Sequence, residues 1–304
     1  MADSANSRNA KTSILSELIV NYMLFLHHVR RVYQASVFPL LVFLPYPQKM
    51  SKLPKEHQFL DLSDYGRPVA RIIANSLKHT SFTPIHVTIS FIIAGLVAIV
   101  CLLNQYYWAT LFFLVLKSIL DAADGELARL KKTPSYTGRY FDSVADIILN
   151  LLILIAIWHV SSESWFLTVL AFVGLQLQGT LYNYYYVILR KNKRGDTTSR
   201  IFENETPTAL KGESQRSVNI FFTLYSLLYG VFDRIIYALD REAEKSNSFP
   251  NWFMTAVSTF GLGFQLLVIG CMLVLGLRDY IIPFFIGYSL FILIFILLRR
   301  IINR

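Results

Sequence analysis

Apolar residues in this chain come in blocks of about the length that spans a bilayer, separated by short polar breaks. Runs over 84–103, 106–128, 140–160, 164–189, 252–276 and 279–298 each approach or exceed the ~20 residues that a helix needs to cross a ~30 Å hydrocarbon core. The alternation of a half-buried strand is absent from these blocks, so the pattern predicts an all-α integral membrane protein, a bundle of six transmembrane helices. A shorter amphipathic stretch, residues 61–78, precedes them. Its Val69, Ile72, Ile73 and Leu77 recur at helical spacing among Arg67, Arg71 and Lys78. That spacing predicts a juxtamembrane helix lying in the head-group plane.

The breaks alternate in charge. Arg67, Arg71 and Lys78 precede the first span, Lys131, Lys132 and Arg139 follow the second, and Arg190, Lys191, Lys193, Arg194 and Arg200 follow the fourth. Arg299, Arg300 and Arg304 follow the sixth, whereas the opposite breaks hold only Arg278 as a cation. The positive-inside rule puts the basic set in the cytoplasm. Residues 218–239 are also long and apolar, but a crossing there would invert the last two spans and carry Arg299 and Arg300 outside. An interfacial or reentrant helix on the cytoplasmic side is therefore expected, given also Asp233 and Arg234 within it. Residues 1–60 read as an N-terminal extension, interfacial or folded as a shallow hairpin, and residues 61–304 as the membrane domain.

Composition agrees with this reading. The chain is 54% hydrophobic and only 16% charged, with a mean hydropathy of +0.44. Its net charge of +9 gathers beside apolar runs, which suits anionic lipid head groups better than nucleic acid. Cys101 and Cys271 sit in apolar stretches without ligand spacing and read as small buried hydrophobes.

Against that background the carboxylates at two span ends stand out. Asp121 and Asp124 are three residues apart at the end of the second span, and Asp142 and Asp146 are four apart at the start of the third. Each pair shares a helix face, and the short turn Lys131-Lys132-Thr133-Pro134 makes the two helices antiparallel neighbours. The pairs can thus face one another at one depth. An Asp at the centre of a membrane helix is disfavoured by roughly 2.5–3.5 kcal/mol, and positions nearer the interface by less. Such a cluster calls for cations, and an all-oxygen donor set favours Mg²⁺ or Mn²⁺ over zinc. Two such ions can clamp a diphosphate, while one carboxylate acts as a base. Gly125 and Gly138 admit close approach of a ligand, Ala128 keeps the face shallow, and Arg129 offers a fork of donors to phosphate. A cation transporter with these aspartates along its ion path is the alternative from another class.

The full pattern, D-x-x-D-G-x-x-A-R, eight residues, then G-x-x-x-D-x-x-x-D, resembles the signature of the CDP-alcohol phosphotransferase family. Every specified position is filled, from Asp121 to Asp146. The resemblance implies a six-helix membrane domain, a homodimer, and an active site open to the cytoplasm. It implies that Asp121, Asp124, Asp142 and Asp146 ligate the metals and that Asp146 also deprotonates the acceptor hydroxyl. Gly125, Ala128, Arg129 and Gly138 would line the pocket for the CDP-linked donor. The implied reaction transfers a phosphatidyl group from CDP-diacylglycerol to a small alcohol acceptor, releasing CMP. A soluble donor of the CDP-choline type acting on diacylglycerol is the alternative within the family. Where many members read T-P-N-x-x-T, this chain reads Thr83-Pro84-Ile85-His86-Val87-Thr88, and Ile147 stands where members using phosphorylated acceptors often carry a cation.

Overall fold

The computed structural model describes residues 53, 58–192, 205–246 and 249–303, and no strand occurs among them. Apart from residues 53 and 58–60, the extension expected over residues 1–60 lies outside the described residues, as do the cations Lys193, Arg194, Arg200 and Arg304. The helices are α1 (Arg67–Leu77), α2 (Pro84–Leu103), α3 (Tyr107–Lys131), α4 (Tyr136–Val160), α5 (Trp165–Asn192), α6 (Gln215–Leu239), α7 (Asn251–Val257), α8 (Leu262–Val274), α9 (Ile281–Tyr288) and α10 (Phe291–Ile302).

Local chemistry sets the boundaries near the motif. Thr83 caps α2, Pro84 occupies its first turn, and His86 Nδ1 accepts the Thr83 N–H at 3.0 Å to close a capping box. His86 therefore serves the helix start. At the other end of the hairpin, Arg129 and Lys131 fill the last turn of α3, and Lys132 stops it in a left-handed conformation (φ 55°). Ser135 Oγ then accepts the Gly138 N–H at 2.8 Å to begin α4. Glu213 reinforces that start: its carboxylate accepts from Ser135 Oγ (2.6 Å) and from the N–H groups of Thr137 (2.8 Å) and Tyr136 (3.2 Å). Partial burial pushes the Glu213 carboxyl up, but these donors and the Leu210 N–H outweigh it and hold it below the usual range.

Helices α2 and α3 form an antiparallel pair running the length of the bundle. Tyr107 Oη accepts from Arg278 Nη1 (3.2 Å) at one end, and Lys131 Nζ donates to the carbonyls of Thr80 and Phe82 (2.7 and 2.6 Å) at the other. Helix α1 lies against the second end of α3, where Ala70 and Ala74 pack on Ala123, Leu127 and Val87. Its inward face is the alanine face; of the apolar residues expected to define it, Ile73 and Leu77 are partly buried and Ile72 points outward. Small residues let α1 approach closely enough for Arg67 Nη1 to donate to Glu126 Oε1 (2.7 Å) on α3.

Length and apolarity alone admit α2, α4, α5, α6 and the stretch Arg278–Ile302 as spans, with Asn251–Phe260 and Leu262–Val274 as one broken span. Packing changes the roster. The expected single helix over 252–276 is bent by 57°. Gly261 begins the second arm, and a Cβ on nearby Gly263 would collide with the Ser63 carbonyl oxygen. Buried amides stitch the second arm to its neighbours: Gln265 Nε2 donates to Gln178 Oε1 of α5 (3.0 Å), and Gln178 Nε2 to Ser289 Oγ (2.9 Å).

Helix α6 has the length of a span but does not run through the bundle. Its N-terminal approach, Glu213, caps the first turn of α4. Asp240, which follows the last residue of α6, accepts from Tyr185 Oη of α5 (2.7 Å) and from Arg299 Nε of α10 (2.9 Å). The start of α4 and the last turns of α5 and α10 share one end of the bundle, because Ser162, between α4 and α5, meets Asp279 at the opposite end. Both termini of α6 thus belong to the basic end. In between, Phe222 and Tyr225 pack on Tyr140, and Tyr229 Oη donates to the Ser143 carbonyl (3.0 Å). Ile220, Leu224, Leu227 and Val231 are left exposed, as suits a helix lying in the bilayer surface. Cysteines at Arg216 and Ala238, near its two ends, are expected to react with an impermeant maleimide from the same side of sealed vesicles. Labelling from opposite sides would mean that α6 crosses.

Candidate active site

The motif residues lie on α3 and α4 on either side of the short turn that joins the two helices at the basic end. Carboxylate oxygens of Asp121, Asp142 and Asp146 all lie within 4.8 Å of one another. The i, i+3 and i, i+4 spacings place them on facing surfaces of the two helices. Carboxylates about 4 Å apart repel by roughly 4 kcal/mol at an effective dielectric of 20. Asp142 Oδ1 is shielded from solvent and has no hydrogen-bond partner among the described residues. An acceptor-only group in that state fits a cation, and three carboxylates form the donor set of a hard divalent ion.

Asp124 stands apart from this group of three. It is buried, and its Oδ2 accepts from Thr88 Oγ1 of α2 at 2.8 Å. Thr88 is the last position of the Thr83–Thr88 segment, so that segment reaches the cluster through its threonine, while His86 caps the helix. Arg129 lies over Gly125: a Cβ there would meet only the Arg129 Nη atoms, at 3.6 and 3.7 Å. Arg129 Nη2 is 3.3 Å from Glu126 Oε1, and its Nε has no partner among the described residues. Ala128 is half-buried one helical turn after Asp124. Gly138 differs from Gly125, since a Cβ there would press on its own cap, Ser135 Oγ, at 3.1 Å. Local packing alone therefore accounts for Gly138 but not for Gly125.

Other residues belong to this site without having been anticipated. Lys117 is wholly buried; its Nζ donates to Asp146 Oδ1 and lies 3.7 Å from Asp121 Oδ2 and 4.8 Å from the Phe91 ring centre. Its signal was legible, a lysine inside FFLVLKSIL one helical turn before Asp121. Glu126, a variable position of the motif, gathers Arg67, Arg71 and Arg129 around one oxygen. Tyr229 is brought beside the start of α4 by α6. Among the other expected cations, Arg139 lies over the rings of Tyr136 and Tyr140 and Arg190 over Tyr186.

A comparison with curated proteins found no match, and neither did a comparison with solved structures. A family model described as CDP-alcohol phosphatidyltransferase matches residues 82–235, from the cap of α2 into α6. Every motif residue lies inside that match. Members use CDP-linked donors and alcohol acceptors, generally depend on Mg²⁺ or Mn²⁺, and serve phospholipid biosynthesis as transferases of substituted phosphate groups. With the match spanning the cluster and the helices that build it, this chain belongs to the CDP-alcohol phosphatidyltransferase family.

Proposed function

We propose that the protein transfers a phosphatidyl group from CDP-diacylglycerol to a small alcohol and releases CMP. The observation that carries this reading is the convergence of Asp121, Asp142 and Asp146, with one oxygen of Asp142 left without a partner. In this proposal Asp121, Asp124, Asp142 and Asp146 hold two Mg²⁺ or Mn²⁺ ions, which when bound neutralise the diphosphate and polarise its phosphorus–oxygen bonds. Asp146 takes the proton of the acceptor hydroxyl. The acceptor oxygen bonds to the β-phosphorus, the bond from that phosphorus to the bridging oxygen breaks, and CMP departs with that oxygen. Arg129 donates to the diphosphate, and Gly125, Ala128 and Gly138 leave room for the cytidine.

Two features support the choice of substrates. Ile85, Ile89 and Ile93 are exposed on α2 beside Thr88, an apolar strip along which acyl chains of a lipid-linked donor can lie. Behind Asp146, Ile147 is buried and brings no charge toward an acceptor phosphate. The basic end of the bundle supports a reaction in the cytoplasmic leaflet, and a homodimer is part of the same proposal.

Protein in nanodiscs with Mn²⁺ is expected to release labelled CMP from CDP-diacylglycerol when a small alcohol is supplied. Release only from CDP-choline in the presence of diacylglycerol would reverse the donor assignment. Gly125→Ala separates the pocket from the fold. Helix propensity favours alanine by roughly 0.8–1.0 kcal/mol and no neighbour obstructs its Cβ, so stability should hold or rise. The KM for the CDP donor should nonetheless rise about ten-fold, a loss of ~1.4 kcal/mol in binding. An unchanged KM would remove Gly125 from the pocket.

A further inference from the structure

Lys117 has no role in the reaction as proposed, yet it occupies the centre of the carboxylate group. A lysine with no exposure inside a membrane helix is costly unless paired. Its ammonium instead bridges the two helices of the site, donating to Asp146 Oδ1 on α4 while lying 3.7 Å from Asp121 Oδ2 on its own helix. Both residues belong to the group whose carboxylate oxygens converge within 4.8 Å. We infer that Lys117 is the resident counter-ion of this cluster, which competes with divalent cations for Asp146 and weakens their binding. The inference rests on the metal-site reading given above.

The physical argument is one of shared acceptors and like charge. Any cation drawn to Asp121, Asp142 and Asp146 must approach with an ammonium already beside two of them. Coulomb repulsion between the two cations, one of them a fully buried ammonium, opposes that approach. Without a divalent ion, the same ammonium keeps a group of clustered carboxylates from standing uncompensated in the bilayer. Lys117 is thus a positioning residue: it holds Asp146 toward Asp121 and sets the ion concentration at which the site fills.

The test is a Mn²⁺ titration of the purified protein in nanodiscs, read by the electron paramagnetic resonance of free ion. Lys117→Met and Lys117→Gln are expected to bind Mn²⁺ at least about ten-fold more tightly than wild type, whereas Lys117→Arg, which keeps the charge, binds about as wild type does. A residue that only fills space would lower stability and leave Mn²⁺ affinity alone. Affinities unchanged or weaker in both neutral variants would overturn the inference. Accumulation of those variants only when Mn²⁺ is supplied would support it, since the ion then replaces the ammonium; failure to accumulate even with Mn²⁺ would count against it. Wild-type binding that Asp142→Ala abolishes tests the metal site itself, so failure of that reading is seen separately.

Discussion

Asp146→Asn is expected to lower CMP release by about 10²–10⁴-fold, the usual contribution of a positioned general base, with little change in the KM for the CDP donor. The amide keeps the size of the carboxyl group but cannot take a proton from the acceptor. The structure adds a consequence that the motif alone does not disclose. Asp146 is the hydrogen-bonded carboxylate of buried Lys117, and removing one member of a buried pair typically destabilises by about 3–5 kcal/mol. Asp146→Asn should therefore also unfold at a lower temperature. The double variant Lys117→Met with Asp146→Asn removes both charges and is expected to recover much of that stability while staying inactive. Full turnover by the folded double variant would show that another group accepts the proton.

Asp240→Ala is expected to cost about 3–5 kcal/mol of stability, again because a buried charge loses its partner. The Asp240 carboxylate is wholly buried and accepts from Tyr185 Oη (2.7 Å) and Arg299 Nε (2.9 Å), with Arg299 Nη2 in contact as well. After truncation, Ser246 Oγ at 3.1 Å would be the remaining side-chain acceptor recorded for Arg299. Thermal unfolding in detergent measures the loss, and Arg299→Met in the same background should restore part of it. Because Asp240 joins the end of α6 to α5 and α10, the variant should also loosen Tyr229 from Ser143 and depress CMP release. A loss below ~1 kcal/mol, the scale of an ordinary substitution, would mean that this network does not anchor α6.

How much of this was legible in the sequence differs from element to element. Span lengths and the spacing of Asp121, Asp124, Asp142 and Asp146 define α3, α4 and their meeting, because helical periodicity fixes which residues share a face. The juxtamembrane helix was legible as an element, but its inward face was not, since Ala70 and Ala74 carry little hydrophobic signal and earn their burial through close packing. By length and apolarity α6 reads as a span, and only Asp233, Arg234 and the charges of the flanking breaks argued otherwise. Its placement is decided by partners distant in sequence, Glu213 on α4 and Asp240 on α5 and α10. The bend at Gly261 is of the same kind, dictated by contact with Ser63. Asp124 could be assigned to the motif but not placed within it, because Thr88 lies on another helix.

With both ends of α6 at the basic end, the described residues of the connectors on either side of it lie at one end of the bundle. The opposite side is left with residues 104–106, 161–164 and 275–277. Insertion during synthesis then reduces to passing three tight helical hairpins into the lipid, each carrying almost no polar backbone across.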